Sequence, residues 1–370
     1  MRLSEHKITE VRSGVVRNSW PRLVGRNARL PEHGYGCQNH IVILRTDTGF
    51  VGWGVGHADR TLQLLLEGKT VADVFAPEIG ILNAAARAAD IALHDLAGKI
   101  LNLPVSKMLN PESTMRVRCY DGAIYMDDLN AAGDLGTAKI IEQCHADYAI
   151  GYRDFKIKVG RGAMWMDSDA GFARDVEVVR AVHETFPEAT IFVDANDGMD
   201  LETARQFVKE IKDCNLYWFE EPFVENRRDC SALKDYLRHE CPGTLLADGE
   251  FEYWKGEVID LARDGVVDVL LMDIESYGFT AWRRLMERYQ PGGTRFSPHC
   301  WGAGMKTRVT AHLAAAFPAA CPVIEGVPDT TEGVEDKGNT LDKGWLCIAD
   351  RPGFGMELEY AAPVEVFRPY

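Results

Sequence analysis

Lys156-Ile157-Lys158 sets two ammonium groups two residues apart inside the otherwise apolar run Asp154-Phe155-Lys156-Ile157-Lys158-Val159. Residues i and i+2 of a strand face the same way, so both cations project together and repel each other. The ordinary outcome for such a pair is an exposed edge strand with solvated lysines. The chemical outcome is a lysine whose pKa is lowered by its neighbour, a base near neutral pH. Further along, ionisable residues close a series of short apolar runs: Asp194 and Asn196, Glu220 and Glu221, Asp248 and Glu250, Asp273, His299, and Glu325. One such carboxylate is explained by helix capping. Acids ending three successive strands converge on one mouth, which destabilises itself without a cation. Hard oxygen donors without a Cys or His cluster favour Mg²⁺ over zinc, with Mn²⁺ as a substitute. Alternation alone leaves Glu220 or Glu221, and Asp248 or Glu250, open as ligands. His299, beside the strand-end Asp273 that fixes its tautomer, is a second candidate base. The turn Trp301-Gly302-Ala303-Gly304 reads as an ordinary strand-to-helix turn, with a phosphate cradle as the lesser alternative.

These groups need elements to aim them. Short apolar stretches at 117–124, 154–160, 190–196, 217–221, 244–250, 268–274, 294–299 and 323–327 predict eight strands. Helical spacing at 173–185, 201–211, 255–263, 281–289 and 304–316 alternates with them. The pattern predicts a (β/α)8 barrel over 115–327, whose active-site residues come from the C-terminal ends of strands. An open doubly wound sheet would want a Gly-rich fingerprint after its first strand, and the sequence has none there. Residues 1–114 predict an α+β capping domain: a strand over 7–16, a hairpin with runs at 40–45 and 50–55 joined by Thr46-Asp47-Thr48-Gly49, then helices over 62–109. The turn-rich segment 328–370 is too short to fold alone and is expected to complete the capping domain. Between Asn18 and Arg29 no periodicity is evident, which predicts a long functional loop. With Arg22, Arg26, Arg29, His33 and Tyr35 it suggests a cationic lid that binds substrate, and Gly56–Arg60 a second capping loop.

Composition narrows the partners. The 370 residues carry 41 basic and 56 acidic side chains, a net charge of -15, which repels nucleic acid and anionic membranes. Nine cysteines without a Cys-x-x-Cys pair predict reduced thiols in a cytoplasmic protein. The N-terminus lacks a signal-peptide core, and no apolar stretch reaches membrane-spanning length. A homo-oligomer acting on a small-molecule carboxylate is expected.

The motifs, in their order along the chain, resemble the mandelate racemase subgroup of the enolase superfamily, over nearly the whole sequence. Lys156-Ile157-Lys158 looks like its Lys-x-Lys motif, which implies Lys158 as base and Lys156 beside it. Val193-Asp194-Ala195-Asn196, Phe219-Glu220-Glu221-Pro222 and Asp248-Gly249-Glu250 are similar to its three metal-ligand motifs, implying Asp194, Glu220 and Glu250 as ligands. Asn196 then joins the substrate-binding candidates. Ser297-Pro298-His299 with Asp273 matches a His–Asp dyad, Ile324-Glu325-Gly326 a substrate-binding Glu, and Ala92–Lys99 a capping-domain helix signature. The resemblance implies Mg²⁺-assisted removal of a proton α to a carboxylate, a pattern the enolase superfamily is known for. With a cationic, hydrogen-bonding lid, the expectation is an acid-sugar (aldonate or aldarate) dehydratase yielding a 2-keto-3-deoxy acid. The alternatives are a racemase or epimerase of a 2-hydroxy acid and a sugar-lactone cycloisomerase. Outside the family stand a metal-independent Schiff-base aldolase and a non-catalytic barrel.

Overall fold

The computed structural model describes residues 1–130, 133–251 and 253–359. The end of the predicted tail, 360–370, lies outside the described residues, as do 131, 132 and 252 within the predicted barrel. Strands β1 (Ile8–Val24), β2 (Gly34–Thr46) and β3 (Val51–Val55) form an antiparallel sheet. Helix α1 (Asp90–Leu101) lies across it. A Cβ built on Gly52 would stand 2.4 Å from the Leu96 Cβ, so glycine there lets α1 approach β3 closely. Val42 and Leu44 of β2 and Leu93 and Leu96 of α1 share one fully buried core.

The loop predicted over 18–29 is corrected, because β1 runs on to Val24 and Tyr35 lies in β2. Val16, Asn18 and Trp20 are buried while Arg17, Ser19 and Pro21 are exposed, a period of two. Asn18 conceals the rhythm: it is polar, yet its amide donates to Asp329 Oδ2 (2.5 Å) and Thr331 Oγ1 (2.6 Å), and its carbonyl accepts from Asn39 (2.8 Å). A polar group satisfied in this way behaves as core. The chain leaves the sheet only over 25–33.

The barrel strands are β4 (Arg116–Ile124), β5 (Phe155–Lys158), β6 (Ile191–Asp194), β7 (Leu216–Glu220), β8 (Leu245–Asp248), β9 (Val269–Leu270), β10 (Arg295–Phe296) and β11 (Val323–Gly326). Strands β4 to β10 pair in sequence order and in parallel, and β11 pairs with β4, while β10 is joined to the segment leading into β11 by a single backbone bond among the described residues. Between β10 and β11, Phe296 N–H donates to Ala320 O (2.9 Å). Helices α2 (Thr137–Ile150), α3 (Ser168–Thr185), α4 (Leu201–Ile211), α5 (Arg227–Glu240), α6 (Glu257–Arg263), α7 (Phe279–Tyr289) and α8 (Gly304–Ala316) follow the first seven strands. Among the described residues no helix follows β11. Helix α4 shows why these segments dock. Asp200 caps it by accepting from Thr203 N–H (2.8 Å), and Ala204, Phe207, Val208 and Ile211 bury one face. Against them lie Ile157, Val193, Phe219 and Leu246 from the outer face of the strands, each stabilising by about 1.5–3 kcal/mol. The alternate residues Tyr120, Phe192, Trp218, Ala247, Val269, Leu271 and Val323 fill the interior.

Beyond the barrel, β12 (Thr330–Thr331) pairs with β1, while β13 (Thr340–Asp342) and β14 (Trp345–Cys347) pair with each other and β14 with the start of β4. The tail thus touches barrel and capping sheet alike. Its Phe354 ring meets His312 of α8 edge-on at 5.2 Å, and Ser106 N–H donates to His312 Nδ1 (3.1 Å). Burial pushes the His312 imidazole down to about 3, against a weaker raising influence from a backbone hydrogen bond at Phe354. The unfolded chain takes up a proton near 6.5, so stability is full above that pH and falls below it, toward the folded value, by about 1.4 kcal/mol per pH unit. In urea titrations, lowering the pH from 7.5 to 5 should cost the wild type about 2 kcal/mol more than His312→Gln. An equal loss in both would remove His312 from the acid sensitivity.

All nine cysteines are free thiols. Among the described residues no helix is long and apolar enough to cross a membrane.

Candidate active site

Register explains the convergence. Lys158 pairs with Asp194, Asp194 with Glu220, and Glu220 with Ala247, so these four side chains form one inward row at the strand ends. Lys156, Phe192 and Trp218 form the inward row beneath. This parity resolves what alternation left open. Glu220 and Ala247 point in, so Glu221 and Asp248 point out. Glu221 sits at φ 42°, accepting from Glu250 N–H (3.1 Å) and Asn196 Nδ2 (3.4 Å). Gly249 at φ 129° turns the chain so that Glu250 comes back over the mouth.

Asp194, Glu220 and Glu250 each offer a carboxylate oxygen, all within 4.8 Å of one another. Glu250 Oε1 has His299 Nε2 at 3.1 Å but makes no hydrogen bond of good geometry. Three hard donors with an under-satisfied buried oxygen fit a divalent cation of the Mg²⁺ type. Lys156 Nζ lies 2.7 Å from Glu220 and 2.9 Å from Glu325, and Lys158 Nζ is paired with Asp194. Burial is the largest influence on Lys158 and opposes its charge, but Asp194, Tyr125 and Glu250 together outweigh it and hold the ammonium above its ordinary range. Lys156 acts on Lys158 in the expected direction, lowering it, but more weakly than Asp194, which the ladder sets directly alongside, pulls it up. Lys156 is likewise held high, burial being outweighed by Glu220 and Glu325.

Across the cluster, His299 Nδ1 stands 3.4 Å and Lys306 Nζ 3.2 Å from Asp273 Oδ2. The other Asp273 oxygen accepts the Glu275 and Ser276 N–H groups at 2.9 and 3.0 Å. Burial works against the charge of His299, but Glu250, Glu325 and Asp273 raise it above the ordinary histidine range. Glu325 is fixed by Lys156 and by Cys300 N–H (2.9 Å), and Asn196 is buried with its N–H on Asp194 (2.9 Å). The Trp301–Gly304 turn is no phosphate cradle, because Asp329 already accepts Gly304 N–H (2.8 Å).

The lid departs from expectation. Arg22 is turned away from the cluster onto buried Asp147 of α2, with a further bond to Ala123 O (3.3 Å). Arg26 lies over Trp165 (4.6 Å) and 3.5 Å from Glu32. Tyr35 is 67% exposed. Gly56–Arg60 does not cap the mouth: Asp59 caps the helix Arg60–Leu66, and Ala58–Arg60 line a groove with residues 9–13. Of Arg22, Arg26, His33 and Tyr35, it is His33 that reaches the site wall. It meets Tyr125 edge-on at 4.9 Å, and Tyr125 packs on Trp301 (4.8 Å), which stacks on Trp20 (5.3 Å). Lys158 Nζ lies over Tyr125 at 5.1 Å. Sequence reasoning missed Tyr125, although it directly follows the first predicted strand, and missed Lys306, for which no local signal exists. Arg22→Met should therefore cost about 3–5 kcal/mol of stability by stranding Asp147 and leave KM unchanged. A rise in KM without destabilisation would return Arg22 to the substrate.

Residues 139–362, more than half of the chain, match the family described as enolase C-terminal domain-like. A crystallised galacturonate dehydratase from Geobacillus sp., complexed with D-galacturonate and 5-keto-4-deoxy-D-galacturonate, is 32% identical and superposes with a TM-score of 0.88 over 96% of this chain and 95% of that one. The arabinonate dehydratase of Saccharolobus solfataricus is 27% identical over 75% of this chain and 71% of its own. The D-galactarolactone cycloisomerase of Agrobacterium fabrum is 25% identical over 86% and 83%. With its capping sheet, its barrel and these matches together, the chain belongs to the mandelate racemase/muconate lactonizing enzymes of the enolase superfamily.

Proposed function

We propose that the protein is a metal-dependent acid-sugar dehydratase. The observation that carries the reading is the placement of two proton-transfer groups, Lys158 at Asp194 and His299 at Glu250, at two ends of one three-carboxylate cluster. Mg²⁺, with Mn²⁺ as a substitute, would be held by Asp194, Glu220 and Glu250 and would supply Lewis-acid neutralisation of charge developing on the substrate carboxylate. Lys156 adds a fixed positive charge to the same end. Lys158, once neutral, takes the proton α to the carboxylate. His299, oriented by Asp273, donates a proton to the β-hydroxyl, which departs as water, and the resulting enol tautomerises to the 2-keto-3-deoxy acid. Glu325 and Asn196 are placed to accept and donate hydrogen bonds to substrate hydroxyls. Both lysines are ion-paired, which disfavours a Schiff-base nucleophile.

The same reading divides the chain into a capping domain over 1–114, a catalytic barrel over 115–327 and a returning segment over 328–370. It places a homo-oligomer in the cytosol, consistent with nine free thiols. Incubation with Mg²⁺ and a panel of mono- and diacid sugars in D2O tests it: loss of the α-proton with accumulation of 2-keto acid is expected. Epimer or lactone without keto acid would instead assign the epimerase or cycloisomerase reaction that some relatives carry.

A further inference from the structure

The carboxylate end of the pocket is rich in positive charge, but the lid arginines and Lys306 are already committed. Arg29 of the lid is paired with Asp197 and lies over Phe251 at 4.3 Å. Arg26 faces Glu32, Arg22 is spent on Asp147, and Lys306 stands 3.2 Å from Asp273 and 3.1 Å from Glu275. A second substrate carboxylate would be desolvated without a cation among these to receive it, which is a device against the wrong ligand.

What the lid does present is His33. Its Nδ1 lies 2.7 Å from Gly25 O. A carbonyl only accepts, so Nδ1 carries the hydrogen and Nε2 of the neutral ring is an acceptor. Burial and nearby Lys158 hold the ring below its ordinary range, with the Gly25 hydrogen bond acting the other way. An acceptor nitrogen beside the Tyr125 and Trp301 rings suits a sugar hydroxyl and the C–H face next to it, and repels a carboxylate.

We propose that this pocket selects sugar acids with a single carboxylate, and that His33 is a specificity residue reading a hydroxyl beside the Tyr125 and Trp301 wall. The inference rests on the dehydratase reading of the same site, so binding and chemistry are measured separately. The probes are two pairs sharing one carbon configuration, D-galacturonate with galactarate and D-glucuronate with glucarate, which carry one carboxylate against two. Calorimetric titration with Mg²⁺ present should show the better uronate binding at least about 100-fold tighter than its diacid. His33→Lys should raise diacid affinity relative to the uronate by about 10-fold or more. Should that variant fail to fold, His33→Phe keeps the aromatic wall and should weaken the uronate by about 10-fold. Diacids bound as tightly as uronates in the wild type, or neither His33 variant changing the ratio, would overturn the proposal while leaving the dehydratase intact. Preferential uronate binding without α-proton loss would overturn the dehydratase and leave the selectivity standing. If none of the four binds, both fail.

Discussion

Lys158→Ala loses both α-proton exchange and dehydration, whereas His299→Asn loses dehydration and keeps exchange. Each substitution should lower kcat for keto-acid formation by about 10²–10⁴-fold, the range typical of a positioned acid or base. The split follows from geometry. Lys158 shares the inward row of Asp194 and Glu220, where the substrate carboxylate end must sit, and lies over the Tyr125 ring. His299 approaches from the Glu250 side and is backed by Asp273 and Lys306, an arrangement that orients it to deliver a proton. Deuterium incorporation at the α-carbon, followed by NMR alongside a keto-acid assay, reads the two steps independently. If Lys158→Ala retained exchange and His299→Asn lost it, the abstracting base would be His299. If both retained full dehydration, the two-base mechanism would be wrong. Circular dichroism on both variants guards against misfolding, a real concern at Lys158, since its removal leaves Asp194 with Lys156 as the remaining lysine, 3.5 Å away.

The barrel and its strand-end chemistry were legible because parallel strands leave a local signature, an apolar run closed by a polar residue, and the fold brings those ends together without further information. Asp194, Lys156, Lys158, Asp273, His299 and Glu325 are found this way, Glu220 and Glu250 are chosen over Glu221 and Asp248 only by the family resemblance, and all meet around one space. What alternation could not tell was which of Glu220 and Glu221 faces inward, because parity has meaning only relative to a neighbouring strand, here through the Lys158–Asp194–Glu220 register. The capping sheet was less legible. Asn18 is polar by type and buried by its hydrogen bonds to Asp329 and Thr331, some 310 residues on, and no window of neighbouring residues contains that fact. The lid arginines failed for the same reason: Arg22 looks like a substrate clamp until Asp147, 125 positions away, takes it. For Lys158 the sequence shows the lysine next to it, while the carboxylate next to it in space is the stronger of the two influences.

Glu220→Gln should weaken Mg²⁺ binding by about 100-fold, whereas Glu221→Gln should change it far less. Glu220 is the central member of the cluster. Its Oε1 meets Lys156 and its Oε2 accepts from Trp218 Nε1 (3.0 Å), so a glutamine of the same shape removes the charge and keeps one of these two acceptors, its amide nitrogen facing the other donor. Glu221 is buried just outside the cluster, where it orients Asn196 and the Glu250 backbone. The measurement need not involve turnover. A cation that binds only the folded protein stabilises it by RT ln(1 + [L]/Kd), so at a concentration 100 times the wild-type Kd the gain is about 2.7 kcal/mol. The same concentration gives a 100-fold weaker variant only about 0.4 kcal/mol. Urea titrations with Mg²⁺ and with EDTA should therefore show a large metal-dependent shift in the wild type, nearly as large a shift in Glu221→Gln, and almost none in Glu220→Gln. A shift lost in Glu221→Gln and kept in Glu220→Gln would move the ligand to the outward-facing residue and contradict the register. A shift kept in both would mean that Asp194 and Glu250 hold the cation without help from this strand.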